Sequence, residues 1–283
     1  MKYELSVRSL QEIGQRANQE DTLFPASPGR TDPEGLFILC DGMGGHEAGE
    51  VASQTVCEAM SRYIAAHPRE DGLFDENDFR AALDAAYDAL DAKDSGGEKK
   101  MGTTLTFVRF HAGGCFLAHI GDSRIYHIRP SESKVLFVTR DHSLVNDLVS
   151  LGELTPEEAR TSNQKNVITR AMQPHQEHRM RADWKNIVDV RPGDYFYMCS
   201  DGMLEQSGDK ELVNILSMDR TDDEKIAILK GATAENRDNH SAHLIRVVSV
   251  KSDKRRPVVS LFAFLGLLIL AFFLWRLFFV SSR

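Results

Sequence analysis

Apolar positions fall into two regimes along this chain: short, largely apolar runs of four to nine residues, and longer stretches in which they recur every three or four residues. The runs at 3–9, 36–40, 104–110, 115–120, 124–128, 135–138, 187–190, 195–199 and 242–250 read as strands. Between them, residues 47–66 carry apolar side chains at 52, 56, 59, 60, 63 and 64, and residues 78–93 carry Phe79, Leu83, Ala86, Tyr87 and Leu90. Both are helical stripes. Gly113-Gly114 and Gly121-Asp122 fit hairpin turns, so the strands from 104 to 138 read as a meander. Two more helices are expected after 199, the second started by Thr221 with Glu224 three residues on. Runs of strands with helices in pairs indicate an α+β domain of mainly antiparallel sheets covered by helices.

One segment breaks the rhythm. From Leu144 to Met172 the pattern is polar and irregular, with a short helix followed by Thr155-Pro156-Glu157-Glu158, a capping box with proline at the first helical position. Its length suggests a mobile flap over a site, although a passive insertion would read the same way.

The C-terminus belongs to neither regime. Val258 to Trp275 is uncharged, and as a helix would be roughly 27 Å long, close to the thickness of a hydrocarbon core. A transmembrane helix is therefore expected over 258–280, after a basic linker at 251–257 that contains Lys251, Lys254, Arg255 and Arg256. Only Arg283 follows it, so the positive-inside rule keeps the N-terminal domain, 1–250, cytoplasmic at a single-pass anchor. Met1 to Gln15 has no apolar core of the kind a secretory leader needs.

A formal net charge of −8 argues against a nucleic-acid surface. Cys40, Cys57, Cys115 and Cys199 form no close pair, which fits core thiols in a reducing compartment. The chemistry lies in the acids. Leu36-Phe37-Ile38-Leu39-Cys40 leads into Asp41-Gly42, Tyr195 to Ser200 leads into Asp201-Gly202, and Phe116 to Gly121 leads into Asp122. Further acids stand at Glu20-Asp21 and Asp238-Asn239. A carboxylate delivered to the end of a buried strand needs a partner. Glu20, Asp21, Asp41, the Gly42 carbonyl, Asp122, Asp201 and Asp238 make an all-oxygen set suited to Mg²⁺ or Mn²⁺ rather than zinc. That is more ligand than one magnesium needs, so two ions sharing Asp41 is the economical arrangement. Such ions, about 3.5 to 4 Å apart, activate a water between them for attack on phosphorus. Arg16 could hold the phosphate oxygens, and the implied reaction is phosphate-ester hydrolysis.

The chain resembles the metal-dependent type 2C serine/threonine protein phosphatases in their bacterial form. The resemblance rests on Arg16-Ala17-Asn18-Gln19-Glu20-Asp21, Asp41 to His46, Gly102-Thr103-Thr104, Gly121-Asp122-Ser123-Arg124, Thr139 to Ser143, Ser200-Asp201-Gly202 and Asp238-Asn239, in the family's order over roughly residues 3 to 250. It implies a four-layer α-β-β-α sandwich. It also implies that Glu20, Asp41, Gly42, Asp201 and Asp238 bind two metals, with Asp21 ligating directly or through a water, and that Arg16 binds the substrate phosphate. Bacterial members commonly hold a third, weaker metal, whose positions here are Asp122 and Asp201, with Glu205 as an extra candidate. Segment 144–172 corresponds to the family's variable flap, and catalysis would need no phosphoenzyme. The substrates would be proteins phosphorylated by an opposing serine/threonine kinase.

Two positions depart from the family. Met43 stands where some eukaryotic relatives have a histidine proposed to protonate the leaving group, and His46 lies three residues further on. The last motif reads Asp238-Asn239-His240-Ser241, without the usual aliphatic residue before the hydroxyl. His142, Asp141 and Gly102-Thr103-Thr104 are read as local structure. A phosphoprotein-binding scaffold of the same fold and a hydrolase of small phosphate esters are the competing readings.

Overall fold

The computed structural model describes residues 1–26, 35–44, 48–94, 101–205 and 208–251, with Arg160 described by its backbone alone. Eleven strands and six helices follow one another as β1 (Lys2–Glu12), β2 (Asp21–Phe24), β3 (Leu36–Met43), α1 (Ala48–Ala66), α2 (Glu76–Lys93), β4 (Gly102–Thr103), β5 (Leu105–His111), β6 (Gly114–Ile120), β7 (Arg124–Arg129), β8 (Lys134–Val138), α3 (Leu144–Leu151), α4 (Pro156–Thr161), β9 (Asp183–Ile187), β10 (Tyr195–Cys199), α5 (Asp209–Ser217), α6 (Asp222–Ala232) and β11 (His240–Lys251). One sheet has the order β1-β11-β10-β7-β8 and the other β2-β3-β5-β6-β9, with β4 paired to β3. Every pairing between these strands is antiparallel.

Strand β3 shows why its apolar run is unbroken. Leu36, Ile38 and Cys40 point to Val56 and Met60 of α1 and Phe79 of α2, while Phe37 and Leu39 point to Phe196, Met198 and Ile245 of the opposite sheet. Both faces of the strand are dry, so alternation is lost. Fully burying a side chain such as Phe37 contributes about 1.5 to 3 kcal/mol. On the other sheet, Tyr126, Tyr197 and Leu244 face Leu212 and Ile215 of α5 and Leu229 of α6. The layers are thus α1 and α2, sheet, sheet, α5 and α6. The four-layer sandwich read from the sequence is the observed fold.

Local signals placed the helices well. Asp75 caps α2 in a reciprocal box with Asp78, Thr155 does the same for α4 with Glu158, and Thr221 for α6 with Glu224. All four cysteines are buried and free.

Two expectations need correction. The meander is divided between two sheets, because β5 and β6 form a hairpin in one and β7 and β8 pair in the other. Gly121-Asp122 is therefore a crossing between sheets. Gly121 has φ +105°, and a Cβ there would lie 2.6 Å from the Thr104 side chain, so the glycine permits a close crossing that spacing alone does not distinguish from a turn. The strand expected at 187–190 lies at Asp183–Ile187, where four polar or exposed residues form a sheet edge. Strand β2, Asp21–Phe24, adds to the expected strands.

The flap of α3 and α4 stands outside the layers, yet both of its ends are tied down. Leu144 N–H donates to Val167 O and Thr169 N–H to His142 O, each at 2.9 Å, while Met172 and Thr103 exchange two backbone bonds of 2.9 Å. Among the described residues no helix is long and apolar enough to cross a membrane. The span expected at 258–280 lies outside the described residues, as does the basic linker apart from Lys251, which ends β11.

Candidate metal centre

The register of β2 against β3 places Asp21 opposite Asp41, with Glu20 just before the pair. Gly42 N–H donates to Glu20 O at 3.1 Å. Small residues make this approach possible: a Cβ on Gly42 would come within 2.1 Å of Gly49 O, and one on Gly49 within 2.8 Å of Glu20 Oε1. The start of α1 is thereby brought against β3 with the Glu20 carboxylate in the crevice. Asp201 follows β10, Asp238 precedes β11 and Asp122 follows β6, so neighbouring strand ends of both sheets deliver their acids to one place.

The backbone around Asp41 is clamped. Its N–H donates to Thr104 Oγ1 at 3.0 Å, and its carbonyl accepts from Thr104 N–H at 2.8 Å and Thr103 Oγ1 at 2.9 Å. Gly102-Thr103-Thr104 therefore holds a ligand-bearing strand and, through Met172, the end of the flap. Asn239 acts similarly on the other side: its Oδ1 accepts Glu20 N–H at 2.7 Å, and its Nδ2 donates to Ile13 O and Asn18 O at 2.8 and 3.0 Å. Ser200 Oγ donates to Asp21 Oδ2 at 2.9 Å. Glu205, a candidate ligand, accepts the N–H groups of Arg237 and Asp238 at 3.1 and 3.3 Å and so shapes the loop.

The electrostatics are those of carboxylates gathered together away from water. Loss of water, followed by the charges of Asp21, Asp201, Asp122 and Asp238, pushes the Asp41 carboxyl well above the usual range. Asp122 is pushed up to about 7 by burial, then by Asp201 and Asp141, and Asp201 to about 6 by burial, then by Asp238. Burial also raises Asp21 to about 7 against the lowering effect of the Ser241 and Ser200 hydroxyls, and raises Glu20 despite Arg16. Asp122 Oδ1 is buried without a hydrogen-bond partner. Arg16 Nη2 donates to Asp238 Oδ2 at 2.6 Å, while Arg124 is spent on a two-pronged bond to Asp141, 2.7 Å on each side. Converging carboxylates, an orphaned oxygen and a carbonyl fit hard divalent cations. A cavity of about 740 Å³ opens in front of Asp122, Asp201 and Asp238, with α3 and α4 as its far wall.

Every candidate read from the sequence is near this centre except His46, which lies outside the described residues. Asp141 proves to be the partner of Arg124 rather than a turn residue. Those two residues and Asn239 carry positioning roles that no local spacing reveals. A second group, His119, His142 and Asp183, gathers three potential ligand atoms within 4.8 Å of one another. It is not a metal site as it stands. His142 Nδ1 accepts Gly121 N–H at 3.0 Å, so its Nε2 carries the proton and faces Asp183 at 3.3 Å, and His119 Nε2 donates to Arg140 O at 2.9 Å. Burial first, and His119 next, pull the His142 pKa down to about 4.

Comparison with known proteins agrees with this geometry. Residues 13–239 match the family described as Protein phosphatase 2C. The serine/threonine protein phosphatase PstP of Mycobacterium tuberculosis is 35% identical over 209 residues, 72% of this chain but only 37% of that protein. The chain thus spans little more than a third of that relative. Protein phosphatase PhpP of Streptococcus pneumoniae is 33% identical over 232 residues, covering 76% of this chain and 85% of its own length. The crystal structure of the M. tuberculosis phosphatase superposes with a TM-score of 0.71 at 32% identity, covering 87% of this chain and 99% of that one. The PstP catalytic domain in complex with two manganese ions gives 0.69 at 32% identity, covering 87% and 100%. Fold, ordered motifs and a match across most of the sequence agree, and the chain belongs to the protein phosphatase 2C family.

Proposed function

We propose that this protein hydrolyses phosphoserine and phosphothreonine in proteins, with divalent cations held by Glu20, Asp21, Asp41, the Gly42 carbonyl, Asp201 and Asp238, and a third by Asp122 with Asp201. Bound there, Mn²⁺ or Mg²⁺ supplies a polarised water as nucleophile and neutralises phosphoryl charge. Asp41, with Asp21, Asp122, Asp201 and Asp238 all acting on its carboxyl, is the group both halves of the cluster share. Arg16 uses one donor on Asp238 and has four more in its planar fork for phosphate oxygens. Among the described residues, Met43 has no proton to give the leaving oxygen and the His142 Nε2 proton faces Asp183, so water is assigned as the donor.

The observation that carries this reading is the convergence of acids from five separate segments, with burial suppressing the ionisation of Asp21, Asp41, Asp122 and Asp201, an arrangement that cations would relieve. The test is phosphate release from a phosphothreonine peptide by the full chain in detergent. Release that depends on Mn²⁺ and stops with EDTA is the expected result. Tight peptide binding without turnover would point to a scaffold, and faster hydrolysis of a nucleotide at matched concentration to a small-ester hydrolase.

The reading extends to residues 258–280 as a membrane span, with the basic stretch 251–257 and the catalytic domain on the cytoplasmic side, opposing a serine/threonine kinase there. Its support is the uncharged run and the asymmetry of flanking lysines and arginines. Retention in the membrane pellet after alkaline washing is expected. Recovery in the soluble fraction without detergent would rule the anchor out.

A further inference from the structure

The cavity at the metal centre is much larger than a phosphoryl group needs, and its two ends differ in chemistry. One end is the carboxylate cluster. Away from it the lining is mixed: Val145 and Val149 on α3, Pro156 and Ala159 on α4, and Leu204 beyond Asp201 stand among Asn146, Lys165, Asn166 and Arg237. Val145 and Val149 are four residues apart and so share one helix face. Val145 and Ala159 are buried, whereas Val149 and Leu204 are partly exposed and Pro156 is exposed, so these last three supply the accessible apolar part of a mixed lining.

This wall is built to hold its position. Ser143 and Ile168 bridge the base of the flap, Met172 is bonded to Thr103, and Thr103 is bonded to the backbone of Asp41. Asn146 on α3 donates to Asp141 O at 3.1 Å, and Asp141 is fixed by Arg124. The apolar surface is therefore referenced to the residues that would hold the metals. It lines the same cavity as Asp122, Asp201 and Asp238, so a chain whose phosphate is held at the metal centre can extend across it.

We infer that the substrate peptide runs from the acid cluster into this groove, and that an aliphatic side chain close to the phosphorylated residue seats against Val145, Val149, Pro156, Ala159 and Leu204. The inference rests on the phosphatase reading and adds the substrate class: phosphoserine or phosphothreonine with leucine, isoleucine or valine nearby. A partly open apolar pocket discriminates modestly, since one methylene in such a pocket is worth roughly 10- to 200-fold at most. About tenfold is the reasonable scale for leucine against serine here.

The experiment measures kcat/KM of the full chain in detergent with Mn²⁺ on phosphothreonine peptides in which a leucine or a serine is walked from four residues before to four after the phosphothreonine. p-Nitrophenyl phosphate, which has no side chain for the groove, serves as the control substrate. The expected result is one position at which leucine is favoured about tenfold, mainly through KM, with that leucine-to-serine ratio falling toward one in Val149→Ser and Leu204→Ser and surviving in Val149→Ile. Because the ratio is taken within each variant, a general loss of activity does not imitate the effect. A flat series in an enzyme that hydrolyses p-nitrophenyl phosphate overturns the groove alone, as does a preference that both serine variants retain. Failure on every phosphate ester overturns the phosphatase reading and the groove together.

Discussion

Two clusters of buried acid in this molecule have opposite provisions for charge. At Asp194 the fold completes the balance: the residue is fully buried, Arg129 reaches it at 2.7 and 2.9 Å, His127 Nε2 at 2.8 Å and Arg191 N–H at 3.0 Å. Despite burial, these donors hold its carboxyl down at about 2. At Asp41, Asp122 and Asp201 burial is reinforced by neighbouring acids, and all three carboxyls are driven upward. Paired acids of the first kind serve the fold. Those of the second kind cost stability until something positive arrives, which is how a binding site differs from a structural ion pair.

The sharpest way to separate the two is substitution. Asp41→Ala and Asp201→Ala should each reduce phosphopeptide turnover by about 10³-fold or more at saturating Mn²⁺, by removing cation ligands from the reaction. Equal turnover in either variant would dismiss the centre. Asp194→Ala should instead lower unfolding free energy by roughly 3 to 5 kcal/mol in urea titrations, since it strands Arg129 without its buried partner. Its turnover per folded molecule should stay near wild type.

Metal addition is the next discriminator. At a concentration about 100 times its Kd, Mn²⁺ should add about 2.7 kcal/mol of stability, read as a shift in the urea midpoint, and Asp194→Ala should keep that gain while Asp41→Ala loses most of it. The pH profile then follows by linkage. In the metal-free protein, carboxyls raised to about 7 at Asp21 and Asp122 and about 6 at Asp201 bind protons more firmly than the same groups unfolded, near 3.9. Stability of the metal-free form should therefore fall as pH rises from about 4 to about 7. Asp194 acts with the opposite sign: its contribution is present above the unfolded value and is lost as pH falls through about 2. A metal-free protein that gains stability between pH 4 and 7 would contradict the first half. The smallest effect concerns Arg16→Ala. Its ion pair with Asp238 is largely exposed, so the stability change should remain within about 1 kcal/mol. KM for a phosphopeptide should still rise several-fold if the guanidinium holds phosphate.

What the sequence disclosed and what it concealed divide along physical lines. The layers were legible because burial on one face leaves a period in the chain, as in α2, and burial on both leaves an unbroken apolar run, as in β3. The acids were legible because strand-Asp-Gly recurs at Asp41 and Asp201. The crossing at Gly121 was concealed, since the same dipeptide serves a hairpin equally well. Polar edge strand β9 was displaced because its residues lie largely in solvent and leave no apolar trace. Partners such as Arg124 with Asp141, or Asn239 with Glu20, are chosen across long stretches of sequence by packing, and no spacing rule anticipates them.

Strand β11 gives the domain two poles. Asp238 stands two residues before its start at His240, and Lys251 ends it 11 residues after His240, a distance of about 36 Å at roughly 3.3 Å per residue. Lys251 therefore stands at the end of the strand away from the carboxylates.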